Sequence, residues 1–197
     1  IVEYQRNIGS AITISGEYFM LEYIKSDLFR YCGRVSVWLF IKLFILSSTY
    51  RHQTYIRLSN CEGRIKYFWR LFYYVSRYFH KNLQISYKCK IGYGLYIGHD
   101  GPIVVSPYTI IGDNCNLSQF TTIGTNTTEG ATIGSNVYIG PNVCIVGKVT
   151  IGGYATIGAG SVVTKDIPDR ATAAGNYAKI LNYNEPGRYI HNEWKIK

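Results

Sequence analysis

The chain has 197 residues and a formal net charge of +9, with 47% hydrophobic and 17% charged residues. This balance excludes an intrinsically disordered protein, and the length allows one sizeable core with an accessory segment. The positive charge attracts phosphates, anionic lipid or nucleic acid. Because no nucleic-acid-binding motif is present, nucleic acid is not expected as a partner.

Residues 17–81 have the spacing of helices. Apolar and aromatic residues recur three and four positions apart, first at Phe19, Tyr23, Leu28 and Tyr31, then at Leu39, Leu43 and Leu46. The most apolar stretch, 35–46, contains Lys42 and is far short of the ~20 residues of a membrane-spanning helix. A spanning segment is therefore not expected.

The stretch from Arg64 to Lys81 predicts a helix with an apolar face and a basic face. The apolar face consists of Ile65, Phe68, Leu71, Phe72, Val75 and Phe79. Two interpretations follow. The helix packs as a cap on the main domain with its basic face in solvent, or it attaches the protein peripherally to an anionic membrane surface.

From Ile85 onward the hydrophobic period changes to six. Aliphatic residues occupy positions 85, 91, 97, 105, 111, 117, 123, 133, 139, 145, 151, 157 and 163, with extra residues after 97 and 123. Three positions after the aliphatic residue, many units carry Gly or Asn, which tolerate a positive φ: Gly94, Asn114, Asn126, Asn136, Asn142 and Gly160. These thirteen units predict a flat-sided coil of three short strands per turn and about four turns.

Three of the five cysteines lie within this repeat, and their positions in the six-residue unit predict which way they face. Cys89 and Cys115 occupy a small inward position, and Cys144 falls one place later and is expected to face outward. An odd number of cysteines without a CxxC pair argues against a disulfide framework or a zinc site and favours a reducing cytoplasm. The first residues also lack the order of a signal peptide.

The two interruptions of the repeat are where loops leave the coil and where function is expected. The first contains His99, Asp100, Gly101 and Pro102, and the second runs from Asn126 to Gly130. His99 is the only histidine within the coil. A partly exposed histidine can act as a general base near neutral pH, although a plain surface turn fits the same pattern.

The motifs Gly98-His99-Asp100-Gly101 and Ile157-Gly158-Ala159-Gly160-Ser161-Val162-Val163 resemble the hexapeptide-repeat acyltransferases, in particular the serine O-acetyltransferase-like branch. The resemblance covers about residues 82–181. It implies a mainly β fold, a left-handed parallel β-helix preceded by an α-helical segment. It also implies acetyl-CoA as co-substrate and homotrimers, alone or stacked in pairs, with active sites between neighbouring coils.

Residue by residue, the resemblance implies that His99 removes the proton of the acceptor hydroxyl. It places Asp100 and Gln84 at substrate-binding positions. The cofactor positions that match are Ala159, Thr164, Lys165 and Lys179, and no metal ligand is implied. The expected domains are a helical segment at 1–81, the catalytic β-helix at 82–168 and a C-terminal tail packing on the coil at 169–197.

Several positions depart from the serine acetyltransferase pattern. The loop from Gly124 to Gly130 has no second histidine, Gln84 and Gly98 stand in place of acidic residues, and Tyr177 stands in place of proline. The acceptor therefore stays open between serine and a sugar of a polysaccharide or its precursor.

Three alternatives remain. N-acetylation of an aminosugar could use the same base. A non-catalytic hexapeptide-repeat protein is favoured by the missing second histidine. A zinc enzyme like the carbonic anhydrases built on this coil would need three converging histidines, where the coil has His99 alone.

Overall fold

The computed structural model describes residues 12–195, with side chains from Met20 onward. Residues 1–11 of the predicted helical segment and residues 196–197 of the predicted tail lie outside the described residues. The described chain begins with helices α1 (Ile12–Cys32), α2 (Val37–Leu46), α3 (Ser48–Leu58) and α4 (Ile65–Phe79). Among residues 12–195, no helix combines the length and apolar character needed to cross a membrane.

Short strands follow the helices and form a coil. Their bounds are β1 Leu83–Ile85, β2 Lys90–Ile91, β3 Tyr96–Ile97, β4 Ile103–Val105, β5 Ile110–Ile111, β6 Asn116–Leu117, β7 Thr122–Gly124, β8 Thr132–Ile133, β9 Tyr138–Ile139, β10 Cys144–Val146, β11 Thr150–Ile151, β12 Thr156–Ile157, β13 Val162–Val163, β14 Thr172–Ala174 and β15 Lys179–Asn182.

The strands make three faces. Face A contains β1, β4, β7, β10 and β13, face B contains β2, β5, β8 and β11, and face C contains β3, β6, β9, β12, β14 and β15. Pairing is parallel throughout except for β15, which is antiparallel to β14. The predicted left-handed parallel β-helix with a helical segment before it is confirmed.

The coil is longer than predicted from the repeat. Face A has five strands, so the coil makes about five turns rather than four. Ile167 bridges to Ile151 on face B, and β14 pairs with β12 on face C. The coil thus continues a few residues past the predicted boundary at 168, because the chain keeps pairing after the aliphatic period has faded.

The aliphatic residues of the repeat form the core. Ile85, Ile111, Ile139 and Ile157 are buried, as are Cys89 and Cys115 in the predicted small inward position. Cys144 faces outward on face A and is only partly buried. Burial raises the pKa of the Cys89 and Cys115 thiols to about 12, so both stay protonated near neutral pH.

The corners of the coil use the left-handed backbone conformation. Gly94, Asn114, Asn136, Asn142 and Gly160 have positive φ as predicted, whereas Asn126 does not. Phe120, Tyr154 and Arg170 adopt the same conformation at equivalent corners, with φ of 62°, 59° and 65°. These three side chains are costly there, so the stacking of neighbouring turns overrides local preference.

The helices are anchored to the first turn of the coil through buried polar groups. Arg57 of α3 holds Asp27 of α1 through two nitrogen–oxygen contacts of 2.8 Å, and it donates to the carbonyls of Ile91 and Gly92. Asp27 in turn accepts from the backbone N–H of Leu95 at 2.9 Å. This network fixes α1 and α3 against the turn between β2 and β3.

The orientation of α4 differs from the interpretation of a cap packed through its apolar face. Its packed side carries Trp69, Tyr73 and Ser76, and the Tyr73 hydroxyl donates to the carbonyl of Ile85 at 3.0 Å. The six residues of the predicted apolar face are all exposed, Leu71 to 60% and Phe79 to 72%. The apolar face of α4 therefore points away from the coil.

The C-terminal residues lie along face C. Tyr189 packs on Tyr138 with ring centroids 4.6 Å apart, and its carbonyl accepts from Asn116 at 2.9 Å. Trp194 makes two hydrogen bonds with Asn114 and an edge contact with Phe29 of α1. The tail thus runs back from the last turn to the helices.

The stability of the protein should fall as the pH drops from about 6.5 to about 4, because His52 is buried in a neutral state. Burial, with the positive charges of Arg77 and His80, lowers the His52 pKa to about 4. The unfolded chain binds a proton near pH 6.5, so the lowered pKa costs about 3 kcal/mol of unfolding free energy once the pH is below 4 and nothing above 7.

Chemical denaturation across this pH range would measure the effect. His52→Asn should flatten the pH dependence, whereas His191→Asn, which changes an exposed histidine of the tail, should leave it unchanged. Equal slopes for wild type and His52→Asn would contradict the prediction.

Candidate active site

His99 lies in the turn Gly98–Pro102, which joins β3 to β4 at the corner between faces C and A. Its side chain is exposed, and the imidazole makes no hydrogen bond to any of residues 12–195. The turn rests directly on the next turn of the coil, since a Cβ added at Gly101 would lie 2.7 Å from Cβ of Gln119. Gly101 is therefore required for this placement of His99.

Two helices hold the turn from either side. The Tyr31 hydroxyl of α1 accepts from the N–H of Ile97 at 3.1 Å and lies 3.0 Å from the Ile97 carbonyl, to which it donates. Thr49 of α3 donates to the carboxylate of Asp100. Burial raises the pKa of Tyr31, so it keeps the proton it donates. Thr49 thus holds the residue after His99, and Tyr31 holds the residue two positions before it.

A cavity of about 170 Å³ opens beside His99. It is lined by Tyr96, Gly98, His99, Asn116, Leu117, Ser118, Gln119, Tyr138 and Pro141. The Oε1 atom of Gln119 is buried and has no hydrogen-bond partner among the described residues. A buried acceptor left without a partner costs free energy, so this atom is suited to receive a hydrogen bond from a bound molecule.

A second cavity of about 380 Å³ adjoins the first, and Tyr138 and Pro141 line both. Ala159 lines this second cavity, together with Arg188 and Tyr189 of the C-terminal tail. The two cavities thus follow one edge of the coil away from His99.

The same edge carries a column of equivalent corner residues. Leu117, Ile139 and Ile157 are in register on face C, so the residues two positions later stack as Gln119, Pro141 and Ala159, and the turn that carries His99 rests on Gln119 through Gly101. Two strand spacings of ~4.8 Å put Gln119 and Ala159 roughly 10 Å apart. We call this row, with His99 at its end, the His99 column.

The other predicted site residues lie elsewhere. Thr164 and Lys165 follow β13 at the opposite edge of face A, and Lys179 begins β15 at the last turn. Gln84 is exposed on the outer side of face A, in register with Val104. Within one chain the structure joins His99 with Ala159 along one edge and leaves Thr164, Lys165 and Gln84 apart from them.

Asp100 faces a cavity different from that of His99. This cavity, of about 240 Å³, is also lined by His52, His80 and Lys81. Because the Asp100 carboxylate is held by Thr49, it ties the turn to α3.

Sequence reasoning missed Gln119 and Tyr138 as lining residues. Both could have been found by counting hexads, since Gln119 is two residues after Leu117 and Tyr138 directly precedes Ile139. The extra residues after Ile97 and Ile123 obscure this alignment until the register of the strands is known.

Comparisons with known proteins agree with this fold. Residues 130–165 match the family described as bacterial transferase hexapeptide (six repeats). No curated protein sequence matches the chain.

Among solved structures, serine acetyltransferase from Neisseria gonorrhoeae is 27% identical with a TM-score of 0.67, over 84% of this chain and 68% of that one. The enzyme from Brucella abortus strain S19 is 22% identical with a TM-score of 0.71, over 85% of this chain and 71% of that one. A serine acetyltransferase in complex with CoA is 24% identical with a TM-score of 0.65, over 85% and 71%. Residues 130–165 thus carry hexapeptide repeats, and the fold is similar to that of the serine acetyltransferases, as the sequence motifs predicted.

Proposed function

We propose that the protein is an acetyl-CoA-dependent O-acetyltransferase in which His99 is the general base. The observation that supports this most is the unbonded, exposed imidazole of His99 beside a cavity that contains the unpartnered Oε1 of Gln119. A base must reach the proton that it removes, and this arrangement leaves both the imidazole and a substrate-orienting acceptor open to a ligand.

The chemistry requires one proton to move out and back. The imidazole of His99 takes the proton of the acceptor hydroxyl as the oxygen bonds to the thioester carbonyl carbon. The carbon–sulfur bond then breaks, and the imidazolium returns the proton to the departing thiolate of CoA. Backbone N–H groups of the coil would stabilise the oxyanion, and no covalent enzyme intermediate is needed.

The His99 column provides a place for acetyl-CoA. Ala159 is exposed and has a short side chain, so an extended ligand could approach the backbone along the corner toward His99. Lys165 and Lys179 are exposed near the last turns and are the residues we assign to the CoA phosphates. One of the similar serine acetyltransferase structures is a CoA complex, which supports acetyl-CoA as the co-substrate.

We further propose a homotrimer built through face A. The outward residues of this face are uncharged and lie in register: Gln84, Val104, Thr122, Cys144 and Val162. A flat surface free of charge is suited to subunit contact. Such packing would bring Thr164 and Lys165, at one edge of face A, toward the His99 column of a neighbouring subunit.

The lining of the His99 cavity favours an uncharged acceptor. Ser118 and Gln119 offer neutral hydrogen-bonding groups, and the cavity walls carry no carboxylate or Lys/Arg side chain among the described residues. Free serine would bring an ammonium and a carboxylate that need opposite charges when desolvated. We therefore favour a sugar hydroxyl over serine.

Acetyl-CoA turnover, followed as release of free thiol, would test the proposal. The acceptor panel contains L-serine, neutral sugars and an aminosugar. We expect thiol release with at least one neutral sugar, faster than with L-serine, and a product that alkaline hydroxylamine cleaves as an ester. An amide product from the aminosugar would instead support N-acetylation.

The absence of turnover with every acceptor, combined with no CoA binding by calorimetry, would contradict the enzyme proposal. The non-catalytic alternative would then stand, and the loop from Gly124 to Gly130 without a histidine favours it. Faster turnover with serine would overturn the preference for an uncharged acceptor while leaving His99 as the base.

A further inference from the structure

Helices α2 and α4 present their apolar sides to solvent. In α2 the outward residues are Val37, Trp38, Ile41, Ile45 and Leu46, and no residue of this helix is buried. In α4 the outward residues are Ile65, Tyr67, Phe68, Leu71, Phe72, Tyr74, Val75, Tyr78 and Phe79. Trp38 is 65% exposed and Tyr78 is 72% exposed. In a protein without a binding partner at this surface, an amphipathic helix turns its apolar side toward the core.

The two helices flank the same residue of α3. The Tyr55 ring lies 5.6 Å from that of Phe44 in α2 and 5.8 Å from that of Phe72 in α4. The ring centroids of Phe72 and Phe68 are 4.9 Å apart, so the ring contacts continue from Tyr55 to the exposed Phe68. We call the outward residues of α2 and α4 together the helical face.

The charges around the helical face have one sign. Residues 34–81 contain nine Lys and Arg, of which Arg57 is buried in its ion pair with Asp27, and a single acidic residue, Glu62. Lys42 lies over the Trp38 ring and Lys81 over the Tyr78 ring, so cations sit beside exposed aromatic side chains. Arg64 directly precedes α4, Arg77 lies in its last turn, and Lys81 follows it. All three side chains are exposed.

We propose that the helical face binds the surface of an anionic membrane, with the apolar side chains in the headgroup region and the cations on the lipid phosphates. Trp and Tyr favour this region, and lysine and arginine are attracted by the negative surface potential. A peripheral attachment of this kind needs no helix that spans the bilayer.

The charge argues against a second copy as the occupant. In a twofold contact the helical face would meet itself and bring the cations of one copy against those of the other, and residues 34–81 offer one acidic residue, Glu62, to offset them. Like charges that meet across an interface oppose association. An anionic lipid surface supplies the missing negative charge.

Sedimentation of the full chain with vesicles would test the proposal. We expect binding to vesicles of phosphatidylcholine and phosphatidylglycerol in equal amounts, weakened by salt, and much less binding to pure phosphatidylcholine. Lys42→Gln with Lys81→Gln should weaken binding about 25-fold, because each surface cation contributes about fivefold. Leu71→Gln with Val75→Gln should weaken it about tenfold or more.

The matched control is Lys90→Gln with Lys148→Gln, which removes the same charge from the coil and should leave vesicle binding within about twofold of wild type. Equal binding to neutral vesicles, or equal loss with the control variant, would overturn the proposal. So would a failure to bind any vesicle together with a larger oligomer that Leu71→Gln breaks apart, since the helical face would then be a contact between copies. Circular dichroism of each variant confirms that the exposed substitutions keep the fold.

Discussion

Replacing His99 with alanine should lower the rate of acetyl transfer by about 10²–10⁴-fold while the protein stays folded. The side chain is exposed and makes no hydrogen bond to the described residues, so its removal leaves no unpaired group and no cavity in the core. The loss should fall on kcat, because the base acts on the proton that moves in the transition state. Thiol release at saturating acetyl-CoA would measure it with the best acceptor.

His191→Ala is the matched control. This histidine is also exposed, and it contacts Arg30 through its backbone carbonyl, which the substitution keeps. We expect its turnover to stay within about twofold of wild type, as for surface changes away from a site. A His99→Ala variant with wild-type kcat would show that another group removes the proton, and the proposed mechanism would fall.

Replacing Arg57 with methionine should lower the free energy of unfolding by about 3–5 kcal/mol. The side chains of Arg57 and Asp27 are 6% and 2% exposed, and their 2.8 Å ion pair is buried between α1 and α3. Without the guanidinium, the Asp27 carboxylate stays buried with mainly the N–H of Leu95 to satisfy it. The carbonyls of Ile91 and Gly92 would also lose a donor.

Denaturant unfolding would measure this loss, with Lys148→Met as the matched control. Lys148 forms a 2.8 Å ion pair with Glu129 in which the two side chains are 68% and 63% exposed. Such surface pairs contribute little, so the control should leave the free energy of unfolding nearly unchanged. Arg57→Met with Asp27→Leu should recover part of the loss, because it removes the unpaired charge. Equal stabilities for Arg57→Met and Lys148→Met would contradict the importance of the buried pair.

The coil could be predicted from the sequence because its signal is local and repeated. The six-residue period placed the aliphatic core, and it also placed Cys89 and Cys115 inward. Phe120 and Tyr154 could not be predicted at left-handed corners, since their own preferences oppose that conformation and only stacking on adjacent turns enforces it. The fifth turn was missed for a similar reason, as β14 is defined by pairing rather than by its residues.

Sequence patterns predicted only those parts of the candidate site whose residues lie close together in the chain. The interruption after Gly98 marked His99 correctly as a loop residue of the coil. The Tyr31 hydroxyl that holds Ile97 is 66 positions away in sequence, and no periodicity links the two. The side toward which the apolar face of α4 points could not be predicted either, because an apolar face indicates burial but does not identify the surface that covers it.

The C-terminal tail changes how the coil can come apart. In a linear array each turn touches only its neighbours, so fraying can start at an end and spread one turn at a time. Here the N–H of Gly187 bonds the carbonyl of Tyr154 near the fourth turn, while Trp194 bonds Asn114 in the second turn and touches α1. The tail thereby connects the last turn of the coil to the helices at the other end. Opening the last turn would therefore strain contacts at the second turn and at α1, which couples the two ends into a single cooperative unit.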